Sequence, residues 1–238
     1  MQVLSEVSQQ QVIHLQIPVE QAEEKIMIQN TLEKKKVQLI LKRTFDIVVA
    51  SILIILLSPV LLLIAVLIKL SSKGNVLYSN ERVGYQGNHF RCYKFRSMIS
   101  DQSKVAQAYK EALEQQQKGI LLKLQDDPRV TWIGKIIRKS SIDELPQLFN
   151  VLQGNMSIVG PRPLVPFMLA NLPEFKAIRC MVRPGITGLW QIRDRANNTS
   201  AEFMIEHDTE YVRNYSFMMD LKILISTPMV VLSGEGAF

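Results

Sequence analysis

One stretch of the chain stands apart by its pattern. From Ile47 to Ile68 it reads IVVASILIILLSPVLLLIAVLI, carries no charge, and has Ser51 and Ser58 as its only polar side chains. About 20 apolar residues suffice for a helix to span a bilayer. A core helix this uniformly apolar is out of place in a chain of 238 residues, so the pattern predicts a membrane segment. Ser58-Pro59 interrupts it near the middle. Proline removes a helical hydrogen bond and crowds the preceding turn, which kinks a helix, and a serine hydroxyl can satisfy a backbone group so freed.

The pattern elsewhere is mixed. Met1 to Lys36 is rich in Gln, Glu and Lys and has no signal-peptide layout, so it reads as a polar tail, partly helical over Gln21 to Lys36. Leu77 to Phe95, with Gly84 and Gly87, reads as a hairpin or loop. Asp101 to Lys118 reads as an exposed helix closed by Gly119, Ile133 to Ile137 as a short helix, and Glu144 to Leu152 as another, closed by Gly154. Pro161 to Pro166 is extended and rigid, and Ala201 to Tyr215 has helical spacing. Asp220 to Leu232 is apolar, too short to span and interrupted by Pro228, which suits a place on a membrane surface or in the core. The architecture expected is mainly α with little β.

Charge changes the picture of the membrane segment. Lys34, Lys35, Lys36, Lys42 and Arg43 precede it, and Lys69, Lys73, Arg82, Arg91, Lys94 and Arg96 follow it. The positive-inside rule keeps both flanks in the cytosol, which a straight span cannot do. A helix that enters, bends at Ser58-Pro59 and returns satisfies the rule; an ordinary kinked span is the alternative. The chain as a whole carries 28 Lys and Arg against 22 Asp and Glu, a net charge of +6, which points to anionic partners. Nucleic acid is the poorer choice among them, because no helix-turn-helix or zinc motif is present. No P-loop or G-x-G-x-x-G supports ATPase or dinucleotide chemistry. Cys92 and Cys180 stand far apart, as lone thiols of a reducing compartment do, and His14, His89 and His207 form no ligand set.

The densest chemistry lies in Arg138-Lys-Ser-Ser-Ile-Asp143-Glu144-Leu-Pro146-Gln147. Proline is tolerated in a first helical turn, so Asp143 is expected as an N-cap; Ser141 with Glu144 as a capping box is the alternative. Either way the carboxylates lie at a positive helix end, which favours ionised Asp143. Such a carboxylate can attack phosphorus or an anomeric carbon, and its neighbour can hold Mg²⁺. Taken alone, the pair is as well read as ordinary helix caps. In Gly160-Pro161-Arg162-Pro163, two prolines fix the backbone around an arginine whose planar fork suits phosphate. Tyr93-Lys94-Phe95-Arg96 follows the membrane segment and also fits a bilayer interface.

Taken in order, KRTFDIVVASILIILLSPVLLL, ERVGYQGNHFRCYKFRSM, RKSSIDELPQLFNVLQGNMSIVGPRP, RPGITGLWQI and DLKILISTPMVVLSGEGAF resemble the bacterial sugar transferases, the monotopic phosphoglycosyl transferases. The resemblance runs from about Lys42 to Phe238. It implies a re-entrant helix broken at Ser58-Pro59 and a small cytosolic, membrane-associated catalytic domain. The expected division is then residues 1–36 as tail, 37–70 as membrane region and 71–238 as catalytic domain. It implies that Asp143 attacks the β-phosphate of a UDP-sugar, that UMP leaves, and that polyprenyl (undecaprenyl) phosphate takes the phosphosugar from the enzyme. Glu144 then goes with Mg²⁺ (or Mn²⁺), and the family's phosphate-binding arginines fall on Arg138 and Arg162. Lys94, Arg96 and Arg183 are further candidates for substrate contact. The bacterial inner membrane, at its cytosolic face, is the implied location, membrane lipids are partners, and a homodimer is compatible. The tail RPGITGLWQI resembles members that begin exopolysaccharide or O-antigen-type glycans. The chain departs from the family's usual residues at Asn155, Glu81 and Asp194, which leaves the donor sugar open. Two rivals are a non-catalytic membrane anchor of an assembly complex and an aspartyl-phosphate phosphatase.

Overall fold

The computed structural model describes residues 22–99, 129–193 and 201–233. The helix expected over Asp101 to Lys118 lies outside them. A first helix, α1, covers residues 22–34 and is followed by α2, Lys36–Ser71. The polar tail is thus docked where it is described: Ile28 and Leu32 are buried in the main core with Tyr211, Tyr215 and Ile223, and Arg213 pairs with Glu24.

Among the described residues α2 is the one helix long and apolar enough to cross a membrane. It buries Lys42, Asp46 and Ala50 in its first half and Ile64 and Ile68 in its second, each set at the four-residue spacing of a single helix face. Between them Ile52, Ile55, Leu56, Leu62 and Leu63 are 57–74% exposed. The segment is assigned as helix through Ser58-Pro59, with Pro59 inside it. The reason is visible at the pair itself. Pro59 has no N–H for the Ile55 carbonyl, and the Ser58 hydroxyl donates to that carbonyl at 2.8 Å.

Strands β1 (Leu77–Val83) and β2 (His89–Phe95) form the expected hairpin, its turn using Gln86 and Gly87 at positive φ. Helix α3 is Trp132–Lys139, a 3₁₀ turn covers Ile142–Glu144, and α4 is Gln147–Leu152, ended by Gly154 at φ +86°. The order continues with β3 (Ser157–Val159), a 3₁₀ turn at Pro166–Leu169, α5 (Pro173–Arg179), β4 (Gly185–Thr187), α6 (Leu189–Arg193), α7 (Ala201–Arg213) and α8 (Phe217–Ser233). Strands β3 and β4 pair in parallel, Ser157 opposite Gly185 and Val159 opposite Thr187. Among the described residues the fold is mainly helical with two small sheets, as the pattern predicts. The apolar stretch around Pro228 is one continuous helix that buries Ile223 in the core.

Both halves of α2 pack on this same body. Ala50, Leu53 and Ile54 join Leu148 and Val151 of α4, whereas Ile64 and Ile68 join Phe95, Ile133 and Ile137. A buried polar network locks the first half. Lys42 Nζ donates to Asp220 Oδ2 at 2.9 Å and to the Val159 carbonyl at 2.8 Å, and Tyr211 OH donates to Asp220 Oδ1 at 2.6 Å. Asp46 Oδ1 accepts from Ser157 Oγ and Ile158 N, each at 3.0 Å. Asp220→Ala strips the carboxylate from a buried ammonium, so a loss of about 3–5 kcal/mol is expected, read as a lower melting temperature in detergent. Unchanged melting would show that the network contributes nothing to holding α2.

Candidate active site

Three local structures bring the candidate residues together. The hairpin puts Arg82 opposite Phe90, and alternation then carries Cys92 and Lys94 onto the same face. That face meets the turn Ile142–Glu144, which leaves α3 through Ser141 at φ +57°. A left-handed serine costs on the order of 1 kcal/mol, and here it reverses the chain so that Asp143 and Glu144 face the hairpin. The third structure is the loop after β3. Gly160 and Gly185 approach so closely that a Cβ on Gly185 would lie 2.1 Å from Gly160 N, and this contact aims Pro161-Arg162-Pro163 back at the turn. Val83 N donates to the Leu164 carbonyl at 2.9 Å and Arg82 to the Pro163 carbonyl at 3.1 Å, tying loop to hairpin.

Glu144 is the junction. Its Oε1 accepts from Lys94 Nζ at 2.7 Å and from the Arg162 guanidinium at 3.1 Å. Arg162 stacks 5.9 Å from the Trp190 ring centre, and its carbonyl accepts from Arg179, itself in a buried pair with Asp208 at 3.1 Å. Burial pushes the Asp143 carboxyl up to about 6; Lys94 pulls it down most among the charges, Glu144 pushes it up, and Arg138 and Arg162 pull it down. Glu144 holds Arg162 above its ordinary value, and burial lowers Arg82. Asp143 is therefore poised near neutrality, surrounded by cations that can receive a polyanion.

Two expectations about this turn need correction. Asp143 is not the cap of α4: it lies inside the 3₁₀ turn, Pro146 immediately precedes α4, and Ser141 makes no side-chain cap. Its carboxyl is shifted up rather than down, because desolvation outweighs both the nearby cations and any helix end.

The structure gathers Asp143, Glu144, Lys94, Arg162 and, through its charge on Asp143, Arg138. It places two other candidates elsewhere. Arg96 is buried and donates to the Ile68 and Ser72 carbonyls at 3.2 and 2.7 Å, closing the C-terminal end of α2. Arg183 donates to the Gly154 carbonyl at 2.9 Å and lies over Tyr85, near Arg43, which binds the Val151 and Leu152 carbonyls. Both arginines therefore serve carbonyl-rich helix ends. Sequence reasoning missed Arg82 and Asn150. Asn150 is fully buried and bonds both ways to β2, accepting from Tyr93 N at 2.9 Å and donating to the Arg91 carbonyl at 2.8 Å. It sets the strand bearing Lys94 against the turn bearing Glu144; an amide inside the apolar run Leu148 to Leu152 was the available signal.

Among the described residues no three His, Cys, Asp or Glu side chains gather as a metal-ligand group. The Asp143-Glu144 pair instead suits a Mg²⁺ that shares one or two carboxylates with substrate phosphates, and it does not make a cage of its own. A cavity of about 930 Å³ lies between α1 and α5 and holds none of these residues. A small one, about 10 Å³, is walled by Arg82, Lys94, Glu144 and Arg162 and marks the cationic side of the site.

Comparison with known proteins fits this geometry. The bacterial sugar transferase model matches residues 37–234. The chain is 41% identical over 199 residues to the exopolysaccharide production protein ExoY of Sinorhizobium fredii, covering 83% of this chain and 88% of that protein. It is 41% identical over 216 residues to an undecaprenyl-phosphate galactose phosphotransferase of Salmonella typhimurium, covering 90% of this chain and 44% of the other. It is 40% identical over 203 residues to a UDP-glucose:undecaprenyl-phosphate glucose-1-phosphate transferase of Klebsiella pneumoniae, covering 80% and 40%. The match thus spans most of the shorter relative and less than half of the two longer ones.

Proposed function

Because the chain belongs to the bacterial sugar transferase family, we propose that this phosphoglycosyl transferase moves a sugar-1-phosphate from a UDP-sugar to polyprenyl (undecaprenyl) phosphate, starting an exopolysaccharide or O-antigen-type glycan. The observation that carries the reading is a carboxylate held near neutrality, Asp143, next to a carboxylate clamped by Lys94 and Arg162. An Asp143 oxygen attacks the donor's β-phosphorus, the phosphorus–oxygen bond to UMP breaks, and UMP leaves with the electron pair. The lipid phosphate oxygen then attacks the same phosphorus, forming the lipid diphosphate sugar and releasing the Asp143 carboxylate. Burial supports the first step, since a desolvated carboxylate with a pKa of about 6 is ionised at neutral pH yet weakly solvated. Arg162 and Lys94 are set to meet the diphosphate charge, and Arg138 adds to the field around Asp143. Glu144 would hold Mg²⁺ (or Mn²⁺), which when bound neutralises phosphate charge. The test is a UDP-sugar screen with purified protein and undecaprenyl phosphate, scoring UMP release. Activity should appear with at least one donor, vanish in EDTA and return with Mg²⁺; full activity in chelator would remove the metal from Glu144.

The reading extends to topology: both ends of α2 lie at the cytosolic face of the bacterial inner membrane. Both halves of α2 pack on one body, basic residues flank it on both sides, and its exposed middle needs an apolar surrounding. Trp132 and Ile136, exposed on α3 beside the second half, suit a lipid interface. Single cysteines at Gln10 or Ser233, in a Cys92→Ser, Cys180→Ser background, should both be shielded from an impermeant thiol reagent in spheroplasts. Ser58→Leu with Pro59→Leu should straighten the helix and expose one end in part of the population. Labelling at one end only in the parent would make the segment an ordinary span.

A further inference from the structure

Four successive carbonyls hold the loop that carries Arg162. Gly185 N donates to the Pro161 carbonyl at 2.9 Å, Arg179 Nη2 to that of Arg162, Arg82 Nη1 to that of Pro163 at 3.1 Å, and Val83 N to that of Leu164 at 2.9 Å. Pro161 and Pro163 have no N–H to offer, which leaves carbonyls to anchor the loop. Three of the four donors belong to strands β1 and β4. The fourth, Arg179 at the end of α5, comes from inside the fold and brings a partner. Asp208 Oδ2 of α7 lies 3.1 Å from Arg179 Nη2, and the two residues are 1% and 4% exposed.

As an ion pair the two are poorly made. An arginine and a carboxylate at their best form two parallel N–H···O bonds. Here the Nη2 group aims its bond at the Arg162 carbonyl instead. Among the described residues, neither Arg179 Nη1 nor Asp208 Oδ2 has a hydrogen-bond partner. Desolvation also outweighs attraction on both sides. Burial pushes the Asp208 carboxyl up to about 7 against the pull of Arg179 and Arg162, and it lowers Arg179 despite Asp208. The surroundings are apolar. Phe175, whose ring centre lies 5.0 Å from the Arg179 guanidinium, clusters with Leu164, Leu169, Cys180 and Met204. Apolar side chains could extend that cluster, and such a replacement of a buried ion pair is commonly neutral or stabilising. Stability therefore does not account for the two charges, whereas the bond that Arg179 does make falls on Arg162.

We propose that Arg179 and Asp208 are positioning residues: Arg179 fixes the Arg162 peptide so that the Arg162 guanidinium meets the donor's phosphate charge beside Glu144, and Asp208 keeps Arg179 charged and in place. The assignment rests on the sugar-phosphate transfer proposed above, in which Arg162 binds phosphate. Neither residue lines the cavity walled by Arg82, Lys94, Glu144 and Arg162, so the pair reaches the substrate only through Arg162.

The experiment is a double-mutant cycle on the full chain, with a UDP-sugar and undecaprenyl phosphate as substrates. Arg179→Met with Asp208→Leu removes both charges together and leaves apolar side chains in their place. This charge-free variant should melt no lower than wild type. Its kcat/KM should nevertheless fall about tenfold to a hundredfold, the usual consequence of misplacing a binding group slightly. Inhibition by UDP should weaken with it. In an Arg162→Ala background the same two substitutions should change kcat/KM and UDP inhibition by less than about twofold, because the group they aim is already gone. Asp208→Asn keeps the shape of the side chain and is carried through the same cycle, should the charge-free variant not fold. It should lose activity with Arg162 present and lose nothing further without it. Wild-type kcat/KM in the charge-free variant would overturn the assignment. So would a loss as large in Arg162→Ala as in its presence, which is what a merely structural pair would give. Wild-type protein that releases UMP from no UDP-sugar overturns the transfer reading, and this assignment with it. A working wild type whose charge-free variant works equally well overturns this assignment alone.

Discussion

Asp143→Asn is expected to reduce transfer by more than about a thousandfold, because an amide cannot form the acyl phosphate and a lost covalent nucleophile typically costs that much. The pH dependence follows from the environment of the group. Burial raises the Asp143 carboxyl to about 6, so wild-type kcat/KM should fall as pH drops through about 6, as the attacking carboxylate is protonated. The same shift has an opposite consequence for stability. The folded protein binds this proton more tightly than the unfolded chain, so ionising Asp143 costs folding free energy above pH 6, and that cost disappears below the ordinary aspartate range near 4. Asp143→Asn should therefore melt higher than wild type at pH 8 and level with it at pH 4. An inactive variant that is also the more stable one at pH 8 is the signature of a residue kept for chemistry. Near-normal turnover in Asp143→Asn would remove it from the mechanism, and a melting gain that persists at pH 4 would remove burial as the cause.

Arg162→Ala should cost about a hundredfold to a thousandfold in kcat/KM, the usual worth of one preorganised donor to developing charge. Arg162 is held from three sides, by Glu144 at 3.1 Å, by the Trp190 ring and by Arg179 on its carbonyl, so little is lost in orienting it when substrate arrives. Arg162→Lys should recover only part, since an ammonium lacks the planar fork. A second readout separates charge from shape. Arg162 lowers the Asp143 pKa, so its removal should move the acid limb to higher pH, and lysine should restore the limb better than the rate. An Arg162→Ala enzyme with wild-type rate and an unmoved limb would place phosphate binding elsewhere.

Much of this arrangement was legible in the sequence, and the parts that were not share one cause. The apolar run, the hairpin around Gly84 and Gly87 and the helix stop at Gly154 are local, and local pattern found them. Asp143-Glu144 and Arg162 stand out in the sequence beside prolines and charge, the family resemblance gave them their expected roles, and the fold brings them together. The direction of the Asp143 shift was misread because desolvation comes from residues far along the chain. The helix expected to start at Glu144 begins at Gln147, because the left-handed Ser141 and a 3₁₀ turn use up the residues between. Lys94, Arg96 and Arg183 look alike as basic residues near motifs. Only packing separates Lys94, on the face toward Glu144, from Arg96 and Arg183, each turned onto a helix end.

The covalent step is the centre of the account, and it can be observed without turnover. Protein incubated with a UDP-sugar labelled in its β-phosphate, in the absence of lipid phosphate, should retain label in a denaturing gel, and peptide mapping should locate it on Asp143. Adding undecaprenyl phosphate should chase that label into an organic-soluble lipid. Label that passes to water as free sugar phosphate would make the chain a phosphatase, and protein that never takes up label while lipid product still forms would mean direct transfer, with Asp143 no nucleophile.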